Sequence, residues 1–261
     1  MMARAVTWVA GVLVAVFLLA PIVAIVPLSF SAGSFLSYPL PGLSLRWYRD
    51  FFGSDFWLPA VWNSLGIGLA AAALATLLGT PAAFGLWRMK GRFRTVAMGI
   101  VLAPMVVPVI VIAVALLLAF GPIGLVATHA GMVIAHAALG APFVVVTVLA
   151  SLEAFDPVQL RAASACGAGP LRAFFRVCLP QIAPGVVAGA VFAFATSLDE
   201  VVVALFIAGP AQRTLPRQMF AGLNDQISLT TTAAAAMLVL LSVLLLAVVG
   251  WLQKRRQGGG G

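Results

Sequence analysis

Residues Val6–Leu28 read VTWVAGVLVAVFLLAPIVAIVPL, an apolar run that contains no charged side chain. A helix needs about 20 predominantly apolar residues to cross the hydrocarbon core of a bilayer. Hydrophobic residues make up 63% of the 261 residues and charged ones only 8%, too few to cover a soluble domain of this size. Six such runs predict six spans: Val6–Leu28, Ala60–Leu86, Val96–Phe120, Gly131–Ser151, Ile182–Ala208 and Leu229–Leu252.

The apolar runs are continuous, whereas the strands of a membrane barrel alternate between apolar and polar residues. We therefore expect an all-α integral membrane protein with six transmembrane helices. The first run is longer than the core of a secretory signal, so it is expected to remain as a helix. One transmembrane domain is predicted over residues 1–257, with a helix-turn-helix loop at 152–181 and a flexible glycine tail at 258–261.

The positive charges orient the predicted spans. Six spans place both termini and the loops 86–95 and 152–181 on one side, and that side carries 11 of the 15 Lys and Arg residues. Positive residues concentrate on the cytoplasmic side of membrane proteins, so both termini are predicted to be cytoplasmic. A basic rim at the inner leaflet also explains the net charge of +8 without any nucleic-acid partner.

The segment from Asp156 to Pro180 is a polar interruption that predicts two short helices joined by a turn. Asp156-Pro157 is a helix start, because the carboxylate can cap free N–H groups and proline suits the first helical position. Gly167 supplies the left-handed residue that would end that helix, and Pro170 could open the next. Pro180 is predicted to stop the second helix at the edge of the fifth span.

The same segment resembles the EAA loop of ABC importer permeases, written EAA, three residues, G, nine residues, I-x-L-P. The matching residues are Arg161, Ala162, Ala163, Gly167, Leu179 and Pro180. In that family the loop docks on a separate cytoplasmic ATPase, so the resemblance implies that these residues couple the chain to that ATPase. Arg161 stands where the family usually has glutamate, so an ion pair made by that acid is lost or reversed.

A second resemblance is to the C-type permease subunits of spermidine/putrescine importers. It is carried by Ser197-Leu198-Asp199-Glu200, Gly209-Pro210, Thr214-Leu215-Pro216 and the Trp47-Tyr48 pair. It implies a bacterial inner-membrane permease that imports polyamines with two ATPase subunits, a second homologous permease, and a periplasmic or lipid-anchored binding protein. Related importers of iron, thiamine, opines or amino acids share this layout and stay open as alternatives.

Asp199 and Glu200 are the only acids of the chain's seven that fall inside a predicted span. An ionisable group at membrane depth is costly and usually faces protein or a wet cavity. We expect Asp199, Glu200, Thr196 and Ser197 to lie along the substrate pathway, with Thr196 one turn before Glu200 and able to hydrogen-bond it. An ion pair with a partner permease, or exposure at the headgroup zone, remains an alternative for the acids.

The chain carries no Walker A sequence and no nucleophile elbow, so neither ATP binding nor hydrolase chemistry is expected in it. His129 and His136 are seven residues apart rather than the four typical of metal ligands on one helix. No cofactor, metal or catalytic residue is therefore predicted, and ATP with Mg²⁺ would bind the partner ATPase. An ion-coupled secondary carrier is the remaining alternative, with Pro104 and Pro108 as marks of a broken helix.

Overall fold

The computed structural model describes residues Met2–Asp225 and Leu229–Gln257. That part of the chain is helical, and within it the β structure is limited to one antiparallel bridge between Ser31 and Leu43. The α-helices are α1 Met2–Leu28, α2 Arg46–Phe52, α3 Trp57–Arg88, α4 Gly91–Val106, α5 Val109–Phe120, α6 His129–Glu153, α7 Val158–Ala165, α8 Pro170–Ala173, α9 Leu179–Asp199, α10 Val202–Ile207, α11 Leu215–Asp225 and α12 Leu229–Gln257. A π-helical segment, Phe174–Cys178, joins α8 to α9, and a 3-10 turn covers Pro210–Gln212.

The chain forms two compact units, Met1–Pro59 with Gln218–Ala247 and Ala60–Arg217 with Val248–Gly261. The single domain expected over residues 1–257 stays a prediction, and the glycine tail at 258–261 lies outside the described residues.

Four helical runs are long and apolar enough to cross a membrane. They are Val6–Leu28, Trp57–Arg88, His129–Glu153 and Pro170–Asp199, where the last includes the π-helical segment. The pair α4–α5 brings the number to five if it counts as one span, and α12 adds an apolar stretch over Leu229–Leu244. The fold is that of a multi-pass helical membrane protein, as predicted, while the count of six spans is not confirmed.

The predicted third span, Val96–Phe120, is not one continuous helix. It divides into α4 and α5, whose axes differ in direction by 103°. The break contains Val107 and Pro108, both with extended backbone angles (ψ 132° and 129°). A proline disfavours helical angles in the residue before it, which accounts for the break at this place.

The predicted fifth span, Ile182–Ala208, is also wrong as a single helix. It ends at Asp199, and α10 begins three residues later at Val202. Glu200 has an extended ψ of 117°, and its buried carboxylate accepts a hydrogen bond from the backbone N–H of Val203. The side chain thus supplies a partner for an N–H group that a new helix start leaves free.

In the first unit, the connection after α1 is held by its aromatic and hydroxyl groups. The Tyr48 and Ser29 hydroxyls lie 2.8 Å apart, and Trp47 Nε1 donates to the Ser31 carbonyl over 2.8 Å. Phe51 is fully buried, with its ring centroid 5.5 Å from that of Trp57. Trp47 and Tyr48, both on α2, thus tie this short helix to the residues that follow α1.

In the second unit, α6 and α9 approach closely because small residues line their contact. A Cβ atom built on Gly140 would lie 2.8 Å from the Ala193 Cβ atom, and one on Gly189 would lie 2.8 Å from the Val144 Cα atom. Small residues at helix contacts in membranes allow the backbones to approach. A further cluster packs α5, α6 and α10 together through Ala113, Met132, Val203 and Ile207, among others.

Candidate functional site

The segment from Asp156 to Pro180, which we call the elbow, begins as predicted. The Asp156 carboxylate accepts a hydrogen bond of 2.9 Å from the backbone N–H of Val158, the first residue of α7. Pro157 stands immediately before the helix with φ −64° and already has helical angles. An acidic cap next to a proline is a favourable helix start, and the cap is confirmed.

The end of α7 also follows the prediction. Gly167 has φ +81°, in the left-handed region where residues other than glycine are strained. Its N–H donates to the Ser164 carbonyl, and the N–H of Ala168 donates to the Ala163 carbonyl, both over 3.0 Å. This pair of bonds is the Schellman motif, which fixes the direction in which the chain leaves a helix.

The second half of the elbow differs from the prediction. Pro170 opens a helix, but that helix does not stop at Pro180. It continues through the π-helical segment Phe174–Cys178 into α9, where Pro180 lies in the first turn. Proline lacks the N–H that a regular helix needs, and a π-helical turn is a local adjustment that keeps the helix continuous around such a gap.

The six residues that resemble the EAA loop are distributed along this elbow. Arg161 and Ala162 are exposed on α7, and Ala163 is half-buried. Leu179 is half-buried and Pro180 exposed at the start of α9. The exposed, small-residue surface of α7 is available for close contact, and the coupling role of these residues stays a prediction.

An aromatic cluster that the sequence analysis missed packs the elbow against the end of α3. The Phe84 ring lies 5.0 Å from the Phe174 ring, edge to face, and 5.8 Å from Trp87. Trp87 in turn lies 6.1 Å from Phe155, which is buried. The signal in the sequence was the spacing of three between Phe84 and Trp87, which places both on one face of α3.

The candidate pathway residues lie where α9 ends. Asp199 is the last residue of α9 and is exposed, while Glu200 follows it and is only 8% exposed. The Thr196 hydroxyl donates to the Phe192 carbonyl over 2.9 Å, one turn back in its own helix, rather than to Glu200. The Ser197 hydroxyl is buried and hydrogen-bonds His136 on α6. The pathway role of these four residues stays a prediction.

The motifs Gly209-Pro210 and Thr214-Leu215-Pro216 are brought together in one polar junction. Gln212 accepts a bond of 3.2 Å from the N–H of Gly209, and Arg217 donates to the Gly209 carbonyl over 3.0 Å. The N–H of Leu215 donates to the Ser64 hydroxyl over 2.7 Å, which fixes the loop on α3. Burial, and secondarily the charge of Arg213, lowers the pKa of the Arg217 guanidinium.

His129 belongs to the same junction. Its Nε2 atom lies 3.2 Å from the Asn63 amide oxygen, and Asn63 donates to the carbonyls of Ala211 and Arg213. The start of α6, the start of α3 and the 209–217 loop are thereby linked by side-chain hydrogen bonds. The sequence motifs indicated the loop but not its partners, because Asn63 and Ser64 are about 150 residues away along the chain.

The fold and these motifs define a binding-protein-dependent permease. The chain belongs to the family described as binding-protein-dependent transport system inner membrane component, whose sequence profile matches residues 75–258. Members of this family are transport subunits, so the chain is a multi-pass membrane transport protein and not an enzyme, as predicted.

Two relatives with which the chain shares more than 30% of its aligned residues are named as polyamine permeases. The chain is 34% identical over 206 residues to the spermidine/putrescine transport system permease protein PotC of Haemophilus influenzae, covering 78% of this chain and 79% of that protein. It is 36% identical over 225 residues to the putrescine transport system permease protein PotI of Escherichia coli, covering 81% and 79%. These matches confirm the resemblance to C-type polyamine permeases.

Solved structures share the fold at low sequence identity. A bacterial alginate ABC transporter, in complex with an alginate pentasaccharide-bound periplasmic protein, matches with TM-score 0.72 and 16% identity over 97% of this chain and 94% of that one. An inward-facing form of the MetNI methionine ABC transporter matches with TM-score 0.63 and 18% identity over 77% and 95%. At these identities the likeness concerns the fold alone, and it confirms a type I ABC importer permease fold.

Proposed function

We propose that this chain is the permease subunit of an ATP-driven importer that moves polyamines such as spermidine or putrescine, or a related small cation, into the cytoplasm. The observation that carries the proposal is the match at 34–36% identity, over 78–81% of the chain, to permeases named for these solutes. The exposed carboxylate of Asp199 at the end of α9 supports a cationic solute, because an ionisable side chain at membrane depth commonly marks a substrate or ion pathway.

The proposed complex has four kinds of component. This chain pairs with a second homologous permease, two ATPase subunits bind the cytoplasmic face, and a periplasmic or lipid-anchored protein delivers solute from outside. Both termini and the elbow face the cytoplasm in this arrangement, as the charge distribution indicates.

We further propose that the elbow transmits the ATPase movement. Its α7 is held at both ends, by Asp156 and by the left-handed Gly167, so it can move as a rigid piece. The aromatic contact between Phe174 and Phe84 links that piece to α3. Closure of the ATPase pair on ATP would push the elbow and turn the spans, which opens the solute cavity to one side of the membrane at a time.

The test is ATP-dependent uptake of labelled spermidine and putrescine by the full importer in proteoliposomes. The importer is oriented right-side-out, with the ATPase subunits and ATP inside the vesicle and the binding protein outside. Uptake is expected only with ATP, Mg²⁺ and the binding protein together. Uptake that persists without ATP and collapses with a proton or sodium ionophore would instead identify an ion-coupled secondary carrier. ATP-driven uptake of a different solute would retain the mechanism and replace the cargo.

A further inference from the structure

A groove of about 600 Å³ lies between the C-terminal end of α3 and the elbow. Aromatic and aliphatic side chains line part of it, including Phe84, Trp87 and Leu160. Two exposed arginines, Arg88 and Arg161, complete the lining from opposite elements. The groove therefore combines an apolar surface with two positively charged guanidinium groups.

No described acidic side chain of this chain neutralises these two cations. The acids closest to the groove in sequence, Glu153 and Asp156, are already engaged, with Arg94 over 2.8 Å and with the Val158 N–H over 2.9 Å. Among the side chains that the structure describes, the one ion pair joins Arg94 and Glu153, and neither Arg88 nor Arg161 takes part in it. The Arg88 guanidinium lies over the Phe84 ring at 5.7 Å, so it is held at the groove by packing rather than by an acid.

From this charge pattern we infer that the groove receives a carboxylate side chain of the ATPase subunit, held between Arg88 and Arg161. The inference rests on the proposed coupling function and names the chemistry of its contact. A planar guanidinium matches a carboxylate with two parallel hydrogen bonds, and such charge-assisted bonds are about twice as strong as neutral ones. The rings of Phe84 and Trp87 would pack the aliphatic stem of the acid.

The experiment measures binding of the ATPase subunit to the permease pair in nanodiscs, with Arg161→Glu and Arg88→Glu as test variants. Each is expected to weaken binding at least about tenfold, because like charges that face each other at an interface repel. Arg92→Glu is the matched control, since Arg92 is exposed at the start of α4 and does not line the groove. Replacing the ATPase acid that contacts the groove by lysine is expected to restore binding between that ATPase and the Arg161→Glu permease.

Three results would separate the possibilities. If Arg161→Glu and Arg88→Glu bind the ATPase as tightly as the unaltered chain while Gly167→Val still abolishes ATP-coupled uptake, the inference is wrong and the coupling function stands. If no ATPase binds the elbow at all and Gly167→Val transports normally, the coupling function itself is wrong. If the two arginines alter binding only in nanodiscs that contain phosphatidylglycerol, their ligand is a lipid headgroup and the inference fails.

Discussion

The Ser197 hydroxyl lies 2.7 Å from Nδ1 of His136, and this bond joins α9 to α6 in the buried interior of the second unit. His136 is 1% exposed and Ser197 3%. The bond falls two residues before α9 ends, so it fixes the position of the helix end that presents Asp199. Ser197 therefore has a structural partner, whatever its contribution to the solute pathway.

Removing this bond is expected to destabilise the protein modestly. Hydrogen bonds between helices in membranes contribute about 0.6 kcal/mol on average and up to about 1.7, so Ser197→Ala should lower the unfolding free energy within that range. Thermal unfolding in detergent measures the change. Thr196→Val is the control, because the Thr196 hydroxyl bonds only its own helix, and a Thr196→Val effect as large as that of Ser197→Ala would contradict the assignment.

Replacing Gly167 is expected to uncouple transport from ATP. Valine at φ +81° is strained by roughly 1–3 kcal/mol, so Gly167→Val should change the exit from α7. We expect ATP-driven uptake to fall to background while membrane insertion, measured by membrane fractionation, stays normal.

Gly169→Val controls for the added bulk two residues further on. Gly169 has φ −66°, and apart from its two chain neighbours no described residue has an atom within 4 Å of a Cβ atom built on it. Gly169→Val should therefore transport normally. Equal loss in both variants would show that bulk, rather than the left-handed backbone, is what the elbow cannot accommodate.

Substitution of Asp199 is expected to change transport, whereas substitution of the neighbouring Glu200 is expected to change stability. Asp199→Asn should raise the KM for spermidine with little change in melting temperature, because the Asp199 side chain is exposed. Glu200→Ala should lower the unfolding free energy by about 0.5–2 kcal/mol, the usual effect of losing a helix cap. Unchanged uptake kinetics in Asp199→Asn would assign that acid to a structural role or to the membrane interface.

A larger residue at Gly140 is expected to destabilise the contact between α6 and α9. A Cβ atom there would lie 2.8 Å from the Ala193 Cβ atom, and overpacking of this kind destabilises by about 1–3 kcal/mol. Gly140→Val should lower the melting temperature of the purified protein. Gly66→Val on α3 is the matched control, since in the described chain no atom outside the adjoining backbone of α3 and the two chain neighbours lies within 4 Å of the corresponding Cβ position.

The parts of the fold that sequence could predict are those fixed by local chemistry. Asp156 and Gly167 act on their own neighbours, so the limits of α7 follow from residue type. The prediction that a helix ends at Pro180 was wrong because a proline also fits the first turn of a helix. Whether the helix continues through that position depends on the π-helical turn before it.

The end of α9 could not be predicted in the same way. Neither glycine nor proline stands at residues 199–201, and the break depends on Glu200 satisfying the start of α10 and on Ser197 meeting a histidine 61 residues away. The polar junction of Asn63, His129 and Gln212 was missed for the same reason. Its members are ordinary polar residues that become a site only when three distant segments meet.

The ring contact between Phe84 and Phe174 has an evolutionary consequence. Two aromatic rings that meet edge to face constrain each other's size, because a smaller partner leaves a void and a larger one collides. Positions 84 and 174 should therefore be inherited as a pair across relatives. A lineage that changes one without the other would have to rebuild the attachment of the elbow from different side chains.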